Sequence, residues 1–84
     1  MNDNGIFAMR LRLRIAHKLL SQSKVAKITG IDRPLITKYV NGQVTPNARH
    51  LWRLCKALDC SADYLIGLSD YPYTVDKVMR VLEK

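Results

Sequence analysis

The chain has 84 residues with 14 Lys plus Arg against 7 Asp plus Glu, a net charge of +7. That length gives one domain with a small core, and an apolar content of 48% is too high for a disordered tail. No apolar run is long enough for a bilayer span. The start, Met-Asn-Asp-Asn-Gly-Ile-Phe, lacks a basic segment followed by a long apolar stretch, so the expected compartment is the cytoplasm.

Residues 1–7 read as a flexible arm. Residues 8–20 contain no Gly or Pro and form a helix, because the run outlasts the strand-like alternation of Arg-Leu-Arg-Leu-Arg. Arg10, Arg14, His17 and Lys18 share one side, and Arg10, Arg14 and Lys18 read as a solvated basic face with some phosphate contact. Met9, Leu13, Ala16 and Leu20 form one apolar stripe, and Leu11, Ile15 and Leu19 a second. Arg12 falls inside the apolar arc, so its guanidinium must snorkel or find a partner.

Ser21 caps a helix over 22–29 whose inner face is Val25, Ala26 and Ile28. Gly30 ends it in a left-handed conformation and Ile31 plugs the turn. Asp32 is the N-cap of the next helix, with Pro34 in its first turn and Asn41-Gly42 after its end. Leu35 or Ile36, Tyr39 and Val40 point inward, which leaves Arg33, Pro34, Thr37 and Lys38 outward. Thr45 or Asn47 caps a fourth helix to Leu58, with Ala48, Leu51, Trp52, Leu54, Cys55 and Leu58 on its core side and Arg49, His50, Arg53 and Lys56 opposite. Ser61 caps a short fifth helix carrying Tyr64, Leu65 and Ile66, and Gly67 ends it. A turn at Asp70-Tyr71-Pro72-Tyr73 leads to a last helix with Val75, Val78, Met79 and Leu82 in one stripe. The domain limits follow: the arm at 1–7, the main helical domain at 8–67 and a helical extension at 68–84.

Charge is uneven along the chain. Residues 1–58 carry eleven basic and two acidic residues; residues 59–84 carry three basic and five acidic. A basic end of that size points to a polyanion on one side of the molecule. Cys55 and Cys60 with His17 and His50 do not make a paired zinc pattern, so no metal is expected; both cysteines read as small apolar packers, and a reducing compartment does not favour a disulfide. Neither a Gly-rich phosphate loop nor a Ser, His and Asp set supports catalysis. No cofactor is expected.

From Leu11 to Gly67 the ordered residues Ser21-Gln22, Val25-Ala26, Gly30-Ile31, Ile36, Tyr39, Asn41-Gly42, Pro46, Leu51, Ala57-Leu58, Ser61, Asp63-Tyr64-Leu65 and Gly67 resemble the Cro and phage-repressor-type helix-turn-helix family of small bacterial and phage transcription regulators. The resemblance implies an all-α fold, a compact five-helix bundle with the helix-turn-helix in its second and third helices, here followed by an extra C-terminal helix. It implies that Gln22 clamps a phosphate, that Arg33, Pro34, Thr37 and Lys38 face base edges, and that Asn41, Gln43 and Thr45 touch the DNA backbone. The helix starts around Lys24 and Asn47 offer further phosphate sites. Arg and Lys can donate to guanine O6 and N7, and the Thr and Pro carbons can meet a thymine methyl.

The sequence departs from the family at two places. Where the family pairs an Arg of the first helix with a Glu after the aromatic position, Ile15 and Val40 stand here, read as a hydrophobic contact replacing a buried ion pair. The alternative is one extra residue in the first connection, which would make Arg14 the family Arg but leave it without an acid. The second departure is Pro34, which shortens the list of hydrogen bonds to bases. The functional expectation is a sequence-specific regulator, a Cro-like repressor bound to palindromic double-stranded DNA as a homodimer through Val75, Val78, Met79 and Leu82, with no membrane and no small-molecule effector. The alternatives are an antitoxin or restriction-modification controller on the same fold, or a protein-interaction module without DNA binding.

Overall fold

The computed structural model describes residues 3–73 and residue 82. Those residues fold as five helices: α1 (Asp3–His17), α2 (Gln22–Thr29), α3 (Arg33–Val40), α4 (Ala48–Leu58) and α5 (Ala62–Ile66). The expected all-α bundle is therefore present, with α1 against α3 and α5, α2 against α3 and α4, and α4 against α5. Leu11, Val25, Ile36, Leu54, Leu58 and Leu65 are fully buried, so each helix contributes at least one residue to a single core. The extension proposed at Val75, Val78 and Met79 lies outside the described residues; Leu82 is exposed.

Side chains begin three of the helices. Ser21 accepts from the amide of Lys24, Asn47 from that of His50, and Ser61 from that of Tyr64. Asn47, rather than Thr45, thus caps α4. Asp32 stands at the start of α3 without a side-chain cap; its carbonyl takes the amides of Leu35 and Ile36 at 3.0 Å each. Pro34 fits there because a first-turn residue needs no amide donor.

α1 begins at Asp3, inside the segment read as an arm. Phe7 and Ala8 are buried, and Phe7 meets Tyr39 edge-on at 6.2 Å between ring centres. Ile6 packs against Gly67, where a Cβ would approach its Cγ2 to 3.0 Å. These partners are distant in sequence, so no local window could reveal that Ile6 and Phe7 have somewhere to dock. At its other end α1 stops at His17, and Leu19 takes φ 56° while the amide of Leu20 returns to the carbonyl of Ile15 at 3.0 Å. This left-handed closure leaves Leu19 93% exposed. Met9 and Leu13 are also exposed, so the buried face of α1 is the narrower stripe of Phe7, Leu11 and Ile15. Ile15 and Val40 both lie in the core cluster, in keeping with a hydrophobic contact at that place.

The alternating arginines of α1 have a shared structural use. Arg10 donates to the carbonyls of Tyr64 (2.6 Å) and Ser69 (2.5 Å), at and beyond the end of α5, and pairs with Asp70 at 2.7 Å. Arg12 donates to the carbonyl of Val40, the last residue of α3, at 2.6 Å. Arg14 donates to the carbonyls of Leu58 (2.9 Å) and Asp59 (3.1 Å), where α4 ends. The last carbonyls of a helix lack intrahelical donors and carry its negative dipole end, so a cation satisfies both needs. Arg10 and Arg14 are therefore not a solvated phosphate-binding face, and Arg14 is only 6% exposed.

Candidate nucleic-acid interface

The turn between α2 and α3 is built by three adjacent residues. Thr29 is buried and donates its hydroxyl to the carbonyl of Val25 at 2.7 Å, while the amide of Ile31 donates to the Thr29 Oγ1 at 3.2 Å. Gly30 at φ 72° reverses the chain, a conformation a side chain would resist, and its amide closes α2 on Ala26 at 2.9 Å. Ile31 is buried as the plug of the turn.

α3 then buries Ile36, Tyr39 and Val40 and turns Arg33, Pro34 and Lys38 outward, all three exposed. The Tyr39 hydroxyl lies 2.7 Å from Nδ1 of His50 on α4, and burial pushes its pKa up. Tyr39 is thus a core residue that locks α3 to α4, as its position on the helix predicts. Arg12 on the Val40 carbonyl holds the other end of α3.

Thr37 is half-buried and donates its hydroxyl to Oε1 of Gln22 at 3.0 Å. This bond joins the first residue of α2 to the middle of α3. It leaves the Gln22 amide nitrogen, a double donor, facing away from the shared oxygen. The Thr37 proton is committed to Gln22, so Thr37 can offer a partner only its lone pairs and its methyl group. Lys24, Asn41, Gln43, Thr45 and Asn47 are exposed. The Asn47 side-chain oxygen is occupied by the His50 amide, so only its nitrogen is available outward. The amide of Gln43 returns to the carbonyl of Lys38 at 2.9 Å, which ties the loop after α3 to that helix.

Ile28, Ala48 and Trp52, assigned to the inner sides of their helices, lie on the surface instead. Ile28 is half exposed and Trp52 is 62% exposed, with the Lys56 ammonium 5.8 Å from the centre of its indole ring. They line an open groove of about 560 Å³ with Lys27, Gly30, Arg53 and Ala57. The wheel misplaced them because it marks the apolar side of a helix without showing how much of that side the neighbours cover, α3 and α4 for α2 and α2 and α5 for α4. No helix among the described residues is long and apolar enough to cross a membrane, and they hold no cluster of metal-ligating side chains.

Two short helices at a glycine turn, with the second helix locked from behind and its cationic face free, define the helix-turn-helix class of DNA-binding proteins. Residues 11–65 match the family model described as helix-turn-helix, and the chain belongs to that family of transcription regulators. It is 33% identical over 64 residues to repressor protein C2 of Salmonella phage P22, which covers 76% of this chain and 30% of that protein. It is 33% identical over 78 residues to an uncharacterized HTH-type transcriptional regulator, YqaE, of Bacillus subtilis, covering 92% of this chain and 67% of that protein. The chain thus spans less than a third of the phage repressor it resembles. No solved structure is significantly similar to it.

Proposed function

We propose that the protein is a Cro-like repressor that binds a palindromic operator as a homodimer and occludes RNA polymerase. The observation that carries the reading is the Gln22–Thr37 bond beneath an exposed Arg33, Pro34 and Lys38. With its oxygen held by Thr37, Gln22 turns its amide donors to a phosphate beside the groove that α3 enters. Arg33 and Lys38 donate to guanine O6 and N7, while Pro34 and the Thr37 methyl meet a thymine methyl. Lys24, Asn41, Gln43, Thr45 and Asn47 contact phosphates on either side and fix the register. Val75, Val78, Met79 and Leu82 join two copies, so that two reading helices sit about 34 Å apart, one turn of the duplex. The dimer reading rests on the apolar spacing of those residues and on the lower positive charge of that end of the chain.

Selection of bound sequences from random duplex DNA tests the reading directly. An inverted repeat with half-sites one helical turn apart is the expected product. Affinity for it should fall with salt at a log–log slope of about −0.9 per phosphate neutralised. A flat salt dependence with no enriched sequence would remove the regulator reading. Val78→Asp should yield monomers in sedimentation and weaken operator binding; unchanged mass and affinity would show that the last segment takes no part in assembly.

A further inference from the structure

We propose that Cys55 and Cys60 form a redox-active dithiol, closed to an intramolecular disulfide by a small-molecule disulfide of the oxidised-glutathione class, with Cys60 as the attacking sulfur. The geometry follows from how α4 ends. Asp59 takes φ 53°, the chain reverses, and the amides of Asp59 and Cys60 both return to the carbonyl of Cys55, that of Cys60 at 3.2 Å. A closure of this kind brings the side chain one turn inside the helix against the one just beyond its end, where an apolar pair is common. Here both places hold free cysteines, both half-buried, and each thiol perturbs the other. The backbone bond between the two residues holds their Cα atoms within reach of the about 4.4–6.8 Å that a disulfide spans.

Arg14 supplies the second observation. It is buried, holds the Leu58 and Asp59 carbonyls, and lies beside the Cys60 thiol. Its Nε is buried with no hydrogen-bond partner among the described residues. Four groups act on Cys60 or Cys55. The hydrogen bond from Cys55 and the Arg14 guanidinium draw the Cys60 thiol down, against burial and the Asp59 carboxylate. The same hydrogen bond, then burial, pushes the Cys55 thiol up. The two sulfurs are therefore unequal, which sets the order of attack, because the thiolate is the nucleophile.

The Cys60 thiolate attacks one sulfur of the external disulfide. A new S–S bond forms to one half, and the other half leaves as a thiolate. Cys55 then loses its proton to solvent and attacks the Cys60 sulfur, expelling the second half as a thiolate. Two protein thiols are oxidised to one disulfide, and one external disulfide is reduced to two thiols.

The test is mass spectrometry of the whole native chain incubated with oxidised glutathione. Loss of two hydrogen atoms without an adduct, reversed by dithiothreitol, is expected. Cys55→Ser should accumulate one glutathionyl group on Cys60, and Cys60→Ser should gain its adduct at least about tenfold more slowly. Circular dichroism of both variants establishes that they are folded. Stable adducts on the native chain without closure, or closure only in urea, would overturn the dithiol. Equal adduct rates in the two variants would overturn the assignment of Cys60 as the attacker.

Discussion

Arg10, Arg12 and Arg14 on α1 and Arg33 and Lys38 on α3 bring the same charge, yet the fold uses them in opposite ways. Each α1 arginine reaches the carboxyl end of another helix, α5, α3 and α4 in turn. Among the described residues the α3 pair has no such receiver. Its helix is held from behind by Tyr39, His50 and Arg12, so its own cations stay outward. Net charge alone therefore overstates the interface. Part of the positive charge neutralises helix ends inside the protein, and only the remainder is offered to a polyanion.

The sharpest way to break this contrast is Arg14→Ala. It leaves the Leu58 and Asp59 carbonyls without their donor in a buried place and should lower the free energy of unfolding by about 3 kcal/mol, read from urea titration. A loss under about 1 kcal/mol would mean that water or another donor replaces the guanidinium, and the arginine would then be no anchor. Next in size, Arg33→Ala and Lys38→Ala should each weaken operator binding by about 1–3 kcal/mol and relax choice at particular base pairs. Their stability should stay within about 0.5 kcal/mol of the parent. Equal weakening on all DNA would make both residues phosphate contacts only. If either variant instead unfolds early, the contrast between α1 and α3 fails.

Thr37→Val keeps the shape of the side chain and removes its hydrogen bond to Gln22. Operator affinity should drop by about 1 kcal/mol as Gln22 loses its fixed orientation. An unchanged affinity would show that Gln22 needs no support from α3. The smallest effect is expected at Leu19, an exposed residue held at φ 56°. Leu19→Gly removes a left-handed strain and should raise stability by about 0.5–1 kcal/mol without altering DNA affinity. A decrease would show that Leu19 makes a stabilising contact despite its exposure.

Local pattern made much of this molecule legible before its shape. Ser21, Gly30, Ile31, Pro34 and Ser61 mark starts and turns because capping and left-handed backbone depend on neighbours within a few residues. The inward set Ile36, Tyr39 and Val40 and the outward set Arg33, Pro34, Thr37 and Lys38 follow from helical period alone, and they stand as expected except Thr37, which is half-buried against Gln22. Helical period is less reliable where neighbouring helices cover only part of an apolar side. Trp52 and Ile28 sit on the apolar side of their wheels yet remain exposed, because burial depends on whether a partner covers that strip.

What the sequence determined by itself was the all-helical plan, the turn at Gly30 and the direction of α3. Each of these rests on interactions a few residues long. Tertiary structure alone decided where the basic residues would act. It carried α1 back to Asp3 by giving Phe7 the ring of Tyr39, and it consumed Arg10, Arg12 and Arg14 on helix ends lying 28 to 54 positions away. It also used the Thr37 hydroxyl to orient Gln22, 15 positions earlier. An arginine on an amphipathic wheel has the same period whether it meets solvent, phosphate or a carbonyl. Only the packing of distant helices brings the acceptor that distinguishes them.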